Sequence, residues 1–164
     1  AVQICCLIAF AVLLLAAAWQ DLRTMRIADG LSLGIAAAFA VWAGSGLVQN
    51  TFDWLSLAAA LACGIGVFAL GALAFATGHF GGGDVKLAAV TSLFAGPALV
   101  LDFAMVTALA GGLLGVAILA GAPIGPAPAA DSAGTLRARL GRSLPYGPAI
   151  AIGGLWVAAS LAGL

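Results

Sequence analysis

Apolar runs long enough to cross a bilayer, separated by short polar or glycine-rich breaks, fill almost the whole chain. A hydrocarbon core of about 30 Å takes about 20 helical residues. The first run, residues 1–19, approaches that length before Asp21-Leu22-Arg23 stops it. Runs and breakers together predict six spans, at about residues 2–19, 31–48, 54–77, 84–95, 98–120 and 147–164. The fourth is short and ends at Gly96-Pro97; a proline just ahead of a helical run is a start signal for the fifth. A linker rich in Pro, Gly and Ala over 121–145 leads to the sixth. The first segment lacks a basic leading region, so it reads as a retained helix and not as a cleaved signal. The prediction is an all-α, polytopic integral membrane protein with about six transmembrane helices, folded as one membrane-embedded domain.

Composition agrees and narrows the chemistry. Of 164 residues, 64% are hydrophobic and 7% charged, whereas soluble domains carry about 25% charged residues. The formal net charge is zero, which gives no electrostatic ground for a nucleic-acid partner; membrane lipid is the expected surrounding. Every acid is an aspartate, a residue better suited to helix starts and loops than to helix interiors. Cys5, Cys6 and Cys63 form no CxxC pair, and they read as buried structural thiols with no zinc or redox site.

The basic residues orient the bundle. With six spans, Arg23, Arg26, Lys86, Arg137, Arg139 and Arg142 all fall on one side, the cytoplasmic one by the positive-inside rule. Both termini then face the periplasm. The opposite loops hold Gln49, Asn50 and Asp53, with Asp102 near the outer end of the fifth span.

Gly81-Gly82-Gly83-Asp84-Val85-Lys86 is the segment richest in chemical possibility. A fourth span of about 12 residues is roughly 18 Å long at 1.5 Å per residue, well short of the bilayer core. The glycine loop ahead of it is therefore expected below the membrane surface. Irregular backbone persists at that depth only where protein or a water-filled cavity covers it, so a wet cleft around Asp84 is expected. Asp21, at the end of the first run, emerges on the same side. Two carboxylates held close share one proton: the ionised group draws a proton from water, and the protonated one donates to a substrate carbonyl. Glycines ahead of Asp84 let an extended peptide approach the backbone. Asp21 and Asp84 are thus the candidate catalytic pair, with Gly81, Gly82, Gly83, Lys86 and Arg26 as candidates for substrate contact or loop geometry.

Plainer roles compete. Asp84 after three glycines fits an N-cap, and Asp21 beside Arg23 fits a stop-transfer charge. Asp29 reads as a cap or turn residue and Asp53 as an N-cap, while Asp102 lies on the far side. His79, the single histidine, reads as a solvated interfacial residue; with scattered aspartates it makes no metal site, and no cofactor is expected. The glycines with Lys86 lack the GxxxxGK[ST] spacing of a phosphate loop.

Gly81-Gly82-Gly83-Asp84-Val85-Lys86-Leu87 resembles the GxGD signature of type IV prepilin peptidases. Asp21-Leu22-Arg23-Thr24-Met25-Arg26-Ile27 is similar to the family's other aspartate motif, in which basic residues and then Ile-Pro-Asn follow. Pro145-Tyr146-Gly147-Pro148 is similar to the segment that opens its last helix. The resemblance implies an aspartic endopeptidase of the bacterial inner membrane, with Asp21 and Asp84 as its catalytic pair. Such an enzyme cuts the basic leader from prepilins and pseudopilins at the cytoplasmic face, beside the apolar helix of the substrate. Two departures stand out. Ile27-Ala28-Asp29 replaces Ile-Pro-Asn, so the rigid proline is missing. Paired CxxC motifs of the larger members are also missing, so the chain resembles the compact type serving tight-adherence (Flp) pili, with no N-methyltransferase activity expected.

Three other readings compete with this one. A small proton- or ion-coupled transporter would place its acids near the midplane and show repeat symmetry, whereas these acids cluster at helix ends. A noncatalytic pilus or secretion subunit would not depend on Asp21 or Asp84. A related GxGD protease acting on preflagellins or membrane helices would share the pair and differ in its cleft.

Overall fold

A computed structural model describes residues 2–78, 80–122 and 145–163. The described residues form five helices: α1 (Val2–Thr24), α2 (Asp29–Val48), α3 (Trp54–Ala76), α4 (Gly82–Leu119) and α5 (Gly147–Ala162). α1 to α4 are long and apolar enough to cross a membrane, and α5 is a shorter apolar helix. His79, Arg137, Arg139, Arg142 and most of the expected linker lie outside the described residues.

The predicted fourth and fifth spans are two arms of α4. Gly96 breaks the helix with φ 53° and ψ −169° just before Pro97. That backbone is left-handed, which glycine adopts at little cost, while Pro97 starts the next arm with its φ already set. The arms fold back on each other. Thr91 of the first arm meets Gly154 of α5, and Phe103 and Thr107 of the second arm meet the adjacent Gly153. At the other end Gly111 lies against Tyr146, which in turn stacks on Phe80 just before α4 begins. The first arm, residues 82–95, is thus about 14 residues or roughly 21 Å long, as short as its sequence implied.

Two helix limits differ from expectation. α1 runs on to Thr24, so Asp21 lies within its last turns and not beyond them; Met25, with φ 53°, ends the helix, and its N–H bonds to the Asp21 carbonyl at 2.8 Å. α2 begins at Asp29, close behind.

Packing is aromatic toward one end and glycine-notched elsewhere. Phe10 of α1 stacks on Phe94 of α4 at 4.2 Å, and Phe39 of α2 meets the same ring edge-on at 5.3 Å. Trp42 joins Phe94 and Phe52. Within lipid, apolar burial drives helix association little, so close contact across small residues does more of the work. Gly154 illustrates it: a Cβ there would sit 2.5 Å from Leu14 Cδ1 and 2.9 Å from Thr91 Cγ2. In the second arm, Gly111 receives Tyr146, whereas Gly112 faces open space. The thiols also divide: Cys6 is buried, whereas Cys5 is exposed on the bundle surface and not buried as expected.

Candidate active site

The ends of α1, α3 and the second arm of α4 meet the starts of α2, α4 and α5 at one pole of the bundle, and both candidate aspartates lie there. Asp21 is 4% exposed and Asp84 8% exposed, and they line one cavity of about 260 Å³. Its other walls are Met25, Arg26 and Ile27 from the α1–α2 loop and Gly81, Gly82 and Gly83 ahead of Asp84. The two carboxylates are close enough to interact electrostatically. Residues 63 positions apart in the chain therefore converge on one pocket.

Each carboxylate is held differently. Asp21 Oδ2 accepts a hydrogen bond from the Gly147 backbone N–H at 2.8 Å, at the first turn of α5. Pro148 follows Gly147, so α5 starts with free N–H groups and a prolyl ring suited to that position. Asp84 is not an N-cap. Gly81 holds that position without a side-chain cap, and Asp84 is the third residue of α4. Its carboxylate reaches back to accept from the Gly81 backbone, as acidic residues three after a cap do. Asp84 Oδ1 is buried with no hydrogen-bond partner among the described residues. Aspartates this deep in an apolar bundle are costly, which makes both of them candidates for function.

The glycines matter through space. A Cβ at Gly81 would meet Asp84 Oδ2 at 2.7 Å, and one at Gly83 would meet Ile27 Cβ at 3.1 Å. Gly83 thus lets the α1–α2 loop lie directly on the start of α4.

The missing proline is compensated locally. Ala28 has φ −67° and ψ 135°, the geometry a proline would fix, and its N–H donates to Gln20 Oε1 at 2.9 Å. Thr24 Oγ1 donates to the Gln20 carbonyl at 2.9 Å and lies 3.1 Å from the Arg26 carbonyl. The loop keeps its shape through side chains of α1.

Of the other expected residues, Arg26 lines the cavity, but Lys86 does not. Lys86 Nζ pairs with Asp29 Oδ1 at 2.7 Å, beside a separate groove between α2, α3 and α4. Asp29 is accordingly not a cap: Ala28 is the α2 N-cap and makes no side-chain cap bond. Asp53 is the α3 N-cap as expected, accepting from Ser56 N–H at 2.7 Å. Asp102 belongs to the second arm of α4 near Gly96, at the opposite pole. Sequence reasoning missed Gly147, Gln20 and the Asp29–Lys86 pairing; the Pro145-Tyr146-Gly147-Pro148 motif was the available signal for the first.

Comparison with curated proteins and with solved structures gives no match. A family model described as the type IV leader peptidase family matches residues 8–116, a stretch that runs from the first turns of α1 into the second arm of α4 and contains both cavity aspartates. With more than half of its length so matched, this membrane protein belongs to the type IV leader peptidase family.

Proposed function

We propose that the protein is an aspartic prepilin leader peptidase, with Asp21 and Asp84 sharing one proton around a hydrolytic water. The observation that carries this reading is that two buried carboxylates from distant helices line one small cavity. The ionised member takes a proton from water, and the resulting hydroxide attacks the scissile carbonyl carbon. The protonated member donates a hydrogen bond to the developing oxyanion. Collapse of the tetrahedral intermediate breaks the C–N bond as the departing nitrogen takes up a proton from the pair. Asp84 Oδ1, with no hydrogen-bond partner among the described residues, is the oxygen left to bond water or substrate.

Depth and charge support a prepilin as the substrate. The pocket lies at the pole bearing Arg23, Arg26 and Lys86, which the positive-inside rule assigns to the cytoplasm. A pilin or pseudopilin precursor places its scissile bond where a basic leader meets an apolar helix, at that same depth. Gly81, Gly82 and Gly83 offer backbone that an extended peptide can approach, and Arg26 can pair with an acidic substrate group. The proposed substrate is a tight-adherence (Flp) pilin precursor, processed in the inner membrane with the start of α1 and the end of α5 toward the periplasm.

The test is direct. Purified protein in lipid nanodiscs is incubated with a candidate Flp prepilin, and products are read by gel shift and N-terminal sequencing. Wild type is expected to release the leader at one bond, and Asp21→Asn and Asp84→Asn each to lose about 10²–10⁴-fold in rate. Undiminished cleavage by either variant would overturn the dyad.

A further inference from the structure

The α1–α2 loop and the start of α4 form facing walls of the cavity. Gln20 and Thr24 tie the loop back to its own helix, α1. Toward α4 the loop makes the Ile27–Gly83 contact, which depends on shape alone. On its outer flank α2 is separated from α3 by an apolar groove of about 440 Å³, with Leu33 and Ala36 on one wall and Phe68 on the other. The Lys86–Asp29 ion pair sits at the mouth of this groove. It joins the first residue of α2 to the residue two beyond Asp84.

We infer that Asp29 and Lys86 are positioning residues, whose ion pair clamps the α1–α2 loop, which follows Asp21, onto the Asp84-bearing helix start. This rests on reading Asp21 and Asp84 as the hydrolytic pair. Three features support it beyond proximity. Asp29 Oδ1 accepts from Lys86 Nζ while Ala28 holds the N-cap position, so the Asp29 carboxylate ties α2 to α4. Lys86 is absent from the cavity wall, which sets it apart from a direct substrate contact. The Ile27–Gly83 contact lies between the clamp and the cavity, so opening the clamp lets Ile27 lift from Gly83 and moves Met25 and Arg26 with it. In this chain Asp29 occupies the place of the asparagine in the usual Ile-Pro-Asn, and its charge gives the loop an anchor that does not need proline. Both side chains are substantially exposed, so the pair is modest in strength and sensitive to salt.

The test uses two readouts on the full chain in nanodiscs. The first is independent of activity. With Cys5, Cys6 and Cys63 replaced by Ser, Ile27→Cys and Gly83→Cys are introduced; their Cβ atoms would lie 3.1 Å apart, a few tenths of an ångström inside the usual disulfide span, so the bond forms after a small local adjustment. Oxidative cross-linking is expected to be rapid with the clamp intact and severalfold slower with Lys86→Asp or Asp29→Lys. The double exchange, Asp29→Lys with Lys86→Asp, is expected to restore it. The second readout is leader cleavage without the added cysteines. Each single reversal is expected to lower kcat roughly two- to fivefold or more, with recovery in the double exchange; high salt is expected to lower wild-type kcat in the same sense. Cross-linking unchanged by the single reversals would overturn the clamp. Slowed cross-linking with recovery on exchange, in a protein whose wild type cleaves no prepilin, would uphold the clamp as a structural tie and sink the peptidase reading instead. A rise in KM with kcat unchanged and no recovery on exchange would assign Lys86 to substrate binding and overturn its positioning role.

Discussion

The Gly147 backbone N–H donates to Asp21 Oδ2 at 2.8 Å, joining α5 to α1 across 126 residues of sequence. A Cβ on Gly147 would lie 2.7 Å from Asp21 Cβ and 2.8 Å from its Oδ2. Glycine is therefore required there by lack of space. Gly147→Ala is expected to keep the bundle folded while displacing the carboxylate, and misplacement of about 1 Å can cost on the order of 100-fold in rate. Leader-cleavage kinetics, alongside a thermal unfolding curve in the same detergent, check this; full activity would show that the carboxylate tolerates the shift.

One helical heptad further along α5, Gly154 receives Leu14 and Thr91 from the two helices that carry the aspartates. Gly154→Ala is expected to destabilise by about 1–3 kcal/mol through overpacking. Leu14→Ala removes the side chain nearest the new methyl group, so the double variant should be more stable than the sum of the two single effects predicts. Unfolding midpoints for the four proteins of the cycle give the coupling; strict additivity would contradict the packing described.

Ala28 already has the backbone geometry of a proline, and Gln20 supplies the acceptor for its N–H. Ala28→Pro removes that donor while restricting the unfolded chain, so in the wild-type background it should be near neutral, within about 0.5 kcal/mol. Gln20→Ala alone is expected to cost about 1 kcal/mol and slow cleavage by loosening the loop. In the Gln20→Ala background, Ala28→Pro should then stabilise. Stability and rate measured for these variants distinguish a loop held by Gln20 from one held by neighbouring contacts.

At the opposite pole, the Asp53 bonds to Ser56 hold its carboxyl below its ordinary value of 3.8. A lowered folded-state pKa means that its contribution is present above the unfolded value and is lost as pH falls through the folded one. The start of α3 should therefore weaken only below about pH 4. Asp53→Asn, which preserves an acceptor at the cap, should remove that acid-dependent step from the stability–pH curve while leaving neutral-pH stability little changed.

The class, the short fourth span and the break at Gly96-Pro97 were legible in the chain because they depend on local quantities: apolar length, charge scarcity and backbone freedom. The pairing of Asp21 with Asp84 was suggested by motif and by side of the membrane, which hydropathy alone constrains. What only the folded bundle decided is where each polar group ends. Asp84 became the third helical residue because Gly81 took the cap, and Asp29 turned from its own helix toward Lys86 because α4 lies within reach. Gly147 closed over Asp21 because α5 crosses α1 at that height. Spacing along one strand of sequence specifies which face a residue takes on its own helix. The height and rotation at which helices meet depend on side-chain volumes contributed by several segments at once, and so emerge only from packing.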